Sequence, residues 1–221
     1  MIAGEYTAKQ AYRAFNAQLL AEEASAADEI VLTSGKGYSN VFHANGGNAS
    51  FSVMANTLRG VYGTDVLIAT ANSFTGSVLQ ADYTREMATS MIMPNGLMSR
   101  QRTMTGAELK ETVRAFVEGC EGGFVPFNRG SLPVVSGIAV DVKEDNRSYI
   151  LTGITRNGRP LRDDDTVTVT CLAPKKQMAA LLADENGTSA DGDTWVKNVW
   201  RDYVLGGSAA LAEPENYITL R

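Results

Sequence analysis

The chain has 221 residues, with 20 Lys+Arg against 25 Asp+Glu, a net charge of -5, 44% hydrophobic residues and a single histidine, His43. A chain of this size holds one large or two small domains without a metal or disulfide staple, and its composition excludes disordered and collagen-like classes. The acidic balance with scattered basic residues argues against nucleic acid as a partner, and no apolar run approaches the roughly 18 residues of a membrane helix.

The first residues, MIAGEYTAKQAYRAF, lack the basic patch, apolar core and small-residue cleavage site of a signal peptide. Ala8, Ala11, Tyr12, Phe15 and Leu19 recur at helical steps and predict an amphipathic helix between Ala8 and Ala24. After Ile30–Leu32 the stretch SGKGYSNVFHANGGNAS favours loop and turn. A second helix is expected with Phe51, Met54, Leu58 and Val61 on one face and Gly60 or Gly63 near its end, followed by TDVLIAT as a short buried strand. Thr105 and Glu108 form a capping box, in which each side chain satisfies the other's backbone N–H. Leu109, Val113, Phe116 and Val117 then give a helical stripe that stops at Gly119.

From Pro133 the period changes to that of strands. VVSGIAVDV, SYILTGITR and TVTVT predict at least three consecutive antiparallel strands, with Asn157-Gly158 as a tight hairpin turn. Met178, Leu181 and Leu182 suggest a short helix ending near Asn186-Gly187. Trp195, Val199, Trp200, Tyr203 and Val204 suggest another, closed by Gly206-Gly207. ENYITLR reads as a last strand. With no internal repeat or long linker, the order predicts one α+β domain, a mixed and largely antiparallel sheet packed by several helices, spanning 40–221 behind a helix and lead-in segment at 1–39.

The chemical inventory is sparse. Zinc hydrolase and dinuclear phosphoesterase sites draw on several histidines with carboxylates, and one histidine cannot assemble them. His43 lies among Asn and Gly residues with no G-x-S-x-G elbow in the chain, so it reads as a surface residue rather than a general base. Asp163, Asp164 and Asp165 are consecutive and point apart, which fits a solvated turn rather than a cation site. The same holds for Glu185, Asp191 and Asp193 in a polar loop. SGKGYSN lacks Walker spacing. Trp195, Trp200 and Tyr203 read as core. Cys120 and Cys171 lack metal-ligand spacing and read as buried thiols, with a disulfide left open. No catalytic residue and no metal site emerges from the residues themselves.

Three stretches together resemble the C-terminal domain of the 5'-nucleotidase family, which includes UDP-sugar hydrolases and 2',3'-cyclic nucleotide phosphodiesterases. They are MTGAELKETVRAFVEG, then VVSGIAVDV with SYILTGITRNGRPLRDDDTVTVT, and GGNASFSVMANTLRGVYGTDVLIAT, within roughly residues 40 to 205. The resemblance implies a hairpin with a buried Asn-Gly turn. It also implies a substrate-recognition unit that binds the base and sugar of a nucleotide or nucleotide sugar, in nucleotide catabolism. Hydrolysis, and the divalent metals it needs, would then belong to a separate N-terminal metallophosphoesterase domain as partner, and the location would be extracellular, cell-surface or periplasmic. The alternative is a non-catalytic binding or interaction module of a cell-surface protein.

Matching the family's binding motifs position by position gives the candidate contacts. The Asn-Gly-Gly-x-Ile-Arg loop corresponds to the span from Thr70 through Asn72 to Thr75, where Thr75 stands in place of arginine. Pro-Phe-Gly-Asn corresponds to Pro94-Asn95-Gly96-Leu97, without ring or amide. A second stacking phenylalanine falls near Pro174, and a Gly-Asp-Gly loop is echoed by Asp191, Gly192 and Asp193. Phe74, Phe124 and Phe127 are candidates for rebuilding a stacking surface.

Overall fold

The computed structural model describes residues 14, 16–18, 28–39, 48–70, 73–74, 76–91, 96–118, 132–145, 148–175, 177–178, 194–215 and 218–220. The helix expected between Ala8 and Ala24, the end of the helix at Met178, His43, Cys120, Phe124 and Phe127 lie wholly or mostly outside these residues.

The centre is a five-stranded sheet in the order β10-β4-β9-β2-β5, built from β2 (Val66–Ala69), β4 (Leu97–Thr105), β5 (Val134–Ser136), β9 (Thr166–Pro174) and β10 (Thr194–Trp195). β9 runs parallel to β2 and antiparallel to β4, which it accompanies over the whole length of both strands. Its inner residues Thr170 to Ala173 are buried on both faces, as expected of a strand with covered neighbours.

Each face of this sheet carries its own core. On one side Leu67, Ala69, Leu97 and Leu172 pack against α1 (Ala49–Tyr62) and α4 (Val196–Leu205). Leu32 from β1 (Ile30–Ser34), which pairs antiparallel with β3 (Ala81–Thr84), and Ala88 from α2 (Arg85–Thr89) join the same cluster. On the other side Val66, Ile68, Val169 and Cys171 meet α3 (Gly106–Glu118). A four-stranded sheet closes that layer, in the order β11-β6-β7-β8, formed by β6 (Ala139–Asp145), β7 (Ser148–Arg156), β8 (Arg159–Pro160) and β11 (Ile218–Leu220). The α+β class with mixed and antiparallel pairing is therefore present, distributed over separate sheets rather than one.

The capping box at α3 is formed: Glu108 Oε2 accepts from Thr105 N at 2.7 Å, and Glu108 N donates to Thr105 Oγ1 at 3.2 Å. The remaining orphan donors of that helix go to the acidic turn. Gly106 N donates to Asp165 O at 2.7 Å and Ala107 N to Asp163 O at 3.2 Å. The Asp163–Asp165 run is thus a solvated turn with a structural task, holding the start of α3 while Lys110 pairs with the Asp163 carboxylate at 2.6 Å.

Several expectations need correction. The Asn157-Gly158 turn does close a hairpin, with both residues at positive φ (52 and 74°), but it is exposed rather than buried. The strand TVTVT does not extend that hairpin; the turn at 162–165 carries it into the central sheet, where β4 and β2 supply pairing on both sides. α1 is not one-faced: every residue from Ser50 to Leu58 is buried. Ser50 Oγ donates to Gly76 O and accepts from Val78 N, while the other polar ones face the chain segment at 212–215. Ser52 Oγ accepts from Glu215 N at 2.9 Å, Asn56 Nδ2 donates to Glu213 O at 2.7 Å, and Thr57 Oγ1 accepts from Ala212 N at 2.9 Å.

Candidate functional site at one end of the central sheet

Because β2 and β9 are parallel and β4 is antiparallel to β9, the end of β2, the end of β9 and the start of β4 meet at the same edge of the sheet. Ala69 is in register with Leu172, and Pro174 with Leu97. Parallel strands place loops that follow them on one side, the usual position for a ligand in open sheets. Thr70, Gly96 and Leu97 are therefore brought together, although they are far apart in sequence.

Local bonds hold this end rigid. Thr70 N donates to Leu172 O at 3.1 Å, and Ser73 N to Thr70 O at 2.9 Å. The Thr70 and Ser73 hydroxyls share a hydrogen bond of 2.9 Å, with Ser73 fully buried. Lys175 N donates to Gly96 O at 3.0 Å, which ties the segment after β9 to the start of β4. Leu97 is buried and contributes packing rather than a contact surface. Of the other candidate contacts, Asn72, Thr75, Asn95, Asp191, Gly192 and Asp193 lie outside the described residues.

Phe74 does not supply a stacking surface. It is buried at 3% exposure against Phe51, with ring centroids 5.9 Å apart, inside the core under α1. Among the described residues an exposed aromatic at this end is Trp195, which the sequence pattern assigns to the core. It is 45% exposed on the edge strand β10, in register with Met98, one residue from Leu97. The signal that separates it from its neighbours is spacing: Val196, Trp200 and Val204 form the buried row of α4, and Trp195 precedes that row by one position. Trp200, by contrast, is fully buried, with Nε1 donating to Ala88 O at 2.7 Å.

The thiol of Cys171 is free and buried in β9, and burial pushes its pKa up to about 12, which leaves it protonated and unreactive. Among the described residues no three His, Cys, Asp or Glu side chains come together as a metal-binding group. The donor set at this end is a hydroxyl, backbone groups and an aromatic ring. Such a set can bind and orient a neutral or aromatic ligand portion; among the described residues it holds no nucleophile with a base beside it and does not fit a divalent metal pair.

This layered arrangement of a mixed sheet between helices and a second antiparallel sheet is the fold of 5'-nucleotidase-type structures. No family model and no curated protein sequence matches the chain. The NAD nucleotidase of Haemophilus influenzae superposes with a TM-score of 0.64 at 16% identity, over 93% of this chain and 40% of that one. A 5'-nucleotidase precursor from Thermus thermophilus gives 0.59 at 13%, over 97% of this chain and 43% of that one. A sulfate thiohydrolase from Thermus thermophilus gives 0.59 at 13%, over 96% and 38%. The chain thus spans about two fifths of the length of these relatives (40, 43 and 38%). No helix among the described residues is long and apolar enough to cross a membrane.

Proposed function

We propose that this chain is the substrate-recognition unit of a 5'-nucleotidase-type phosphoester hydrolase, binding a nucleotide or nucleotide sugar at the sheet end around Thr70, Gly96 and Trp195. A metallophosphoesterase unit outside this chain supplies the divalent metals and the hydrolysis, in an extracellular, cell-surface or periplasmic setting. The observation that carries the reading is the fold likeness to the NAD nucleotidase, which covers 93% of this chain but only 40% of that enzyme.

On this reading the Trp195 ring stacks on the base, an interaction worth about 1–3 kcal/mol per base in single-strand systems. Thr70 and the backbone at Gly96 border the ligand. Asn72, Thr75, Asn95 and the span Asp191–Asp193 are its further contacts by sequence position. Calorimetry of the chain with nucleosides, nucleotides and UDP-sugars tests this. Binding of at least one class is expected, weakened about tenfold or more by Trp195→Ala. Silence against the whole panel removes the ligand-binding part of the proposal.

One observation favours a second reading, a non-catalytic interaction module of a cell-surface protein. Pro174, at the place of a stacking ring, is locked in register with Leu97 within the sheet, and Thr75 replaces an arginine. The same fold also serves a sulfate thiohydrolase, so fold alone does not select a nucleotide. Phosphatase activity of a longer polypeptide that depends on this unit counts against the second reading.

A further inference from the structure

The opposite end of the central sheet carries a separate feature. Asp65 precedes β2 and Thr70 follows it, so the two ends lie roughly 16 Å apart at about 3.3 Å per residue. There a cleft of about 580 Å3 opens beside the end of α1, with Arg59, Asp65, Gly137, Arg156, Asn157 and Glu215 in its lining.

Its two guanidinium groups are not equivalent. Arg156 pairs with Asp65 Oδ1 at 2.6 Å, while Asp65 Oδ2 accepts from Thr168 N at 2.9 Å and from Thr168 Oγ1 at 3.0 Å. The Asp65 carboxylate is thereby satisfied, and the Thr168 amide is the main reason its pKa lies below the ordinary carboxylate value. Arg59 hydrogen-bonds only to neutral oxygens, its Nε donating to Ser136 Oγ at 2.8 Å and its Nη1 to Asp65 O at 3.5 Å, and feels the Asp65 carboxylate only through space. Ser136, fully buried, in turn donates to Asn56 Oδ1, and Asn56 holds Glu213 O. A buried polar chain therefore aims a cation at the cleft, and among the described residues Arg59 forms no ion pair.

We propose that this cleft is a second binding site, for a small oxyanion of the phosphate-monoester class anchored on Arg59. A guanidinium fixed in advance offers a planar fork to phosphate with little ordering cost. The volume falls in the range of small-molecule pockets, about 300–1,000 Å3. Arg156, its charge balanced by Asp65, lines the same cleft beside the anchor. Asn157 and the exposed Glu215 at the rim supply hydrogen-bonding groups for hydroxyls on the rest of the ligand. The site is distinct from the sheet end around Thr70 and does not depend on the function proposed for it.

The test is an NMR titration of the 221-residue chain with inorganic phosphate, glycerol 3-phosphate and ribose 5-phosphate, against glycerol and against chloride at equal ionic strength. Expected are shifts of the amides at 137–139 and 155–158 with the phosphates alone; the ranking of inorganic phosphate against the esters tells whether the rest of the ligand contributes. Arg59→Gln weakens binding by about tenfold or more, as loss of a charge-assisted fork requires. Should that variant fail to fold, Glu215→Gln decides: only the backbone of Glu215 is bonded into the fold. Removing its side-chain charge tightens phosphate by about twofold or more if the anion sits in the cleft. Absent shifts, shifts elsewhere, equal shifts with chloride, or unchanged affinity in Glu215→Gln overturn the proposal.

Discussion

Replacing Gly137 by alanine tests how the two sheets are joined. Gly137 sits at φ +84°, and a Cβ built on it lies 2.1 Å from Asp65 O and 3.3 Å from Arg59 Cδ. Gly158 is the control, because at φ +74° its Cβ meets nothing within 4 Å. The left-handed backbone costs an L-residue about 1–2 kcal/mol, and the stiffer unfolded chain returns about 0.4–1 kcal/mol. Gly158→Ala should therefore lose between about 0 and 1.6 kcal/mol. Gly137→Ala carries the same terms and must also move β5 away from the start of β2, because the carbonyl it meets is backbone. Val135 and Ile138, each 2% exposed, flank that joint and lose packing when it opens. Large losses of core packing cost about 2–5 kcal/mol, so a total of at least about 2 kcal/mol is expected. For a chain of this length that corresponds to a fall in Tm of at least about 4–8 °C. Urea unfolding followed by circular dichroism measures both variants; a Gly137→Ala value within about 1 kcal/mol of Gly158→Ala refutes the close approach.

The Asp65 carboxyl has its pKa held below the ordinary 3.8 by the Thr168 amide, so its stabilisation is present above that pH and is lost as pH falls through the lower folded value. The stability gap between the natural chain and Asp65→Asn should then be constant near neutrality and close below pH 3.8, as acid-titrated unfolding reads directly. Asn56→Ala removes the acceptor of the buried Ser136 hydroxyl and the donor to Glu213 O, and should cost about 1–3 kcal/mol in denaturant unfolding. Trp200→Ala should cost about 3–5 kcal/mol whereas Trp195→Ala stays within about 1 kcal/mol, a contrast that thermal melts of the two variants resolve. In native protein at pH 8, iodoacetamide should leave Cys171 unlabelled and modify it only after unfolding, as peptide mass mapping reports.

Local signals in the sequence translated well into structure. The capping box at Thr105 and Glu108 and the Asn157-Gly158 hairpin each rest on interactions within a few residues, and each is formed; the run Val66–Ala69 is legible from its unbroken apolar character although its strand partners are distant. Long-range partners were not legible. TVTVT alternates like a hairpin strand, and nothing in those residues reports that β2 and β4 wait on either side. Ser52, Asn56 and Thr57 read as the polar side of α1 because the segment that covers them lies more than a hundred and fifty residues later, at separations of 155 to 163. The candidate site was legible only in part. The resemblance pointed to Thr70, Gly96 and Leu97, which the strand order does gather, yet Trp195 was hidden by its place beside the α4 stripe. The cleft at Arg59 has no sequence motif, since its residues come from five separate stretches of chain.

Residues 212–215 and 218–220 finish what Ser52, Asn56 and Val140 begin: the first lie along α1 and the second form β11, parallel to β6 from Val140 to Val142. During synthesis, then, a helix with buried polar side chains and a sheet lacking its edge must persist until this stretch has left the ribosome. The cover comes from 155 to 163 residues beyond the groups it bonds, so closing the fold is a long-range step that waits for distant chain rather than growing outward from α1. A nascent chain stalled before Ala212 should present those hydroxyls and amides to water, or to a chaperone.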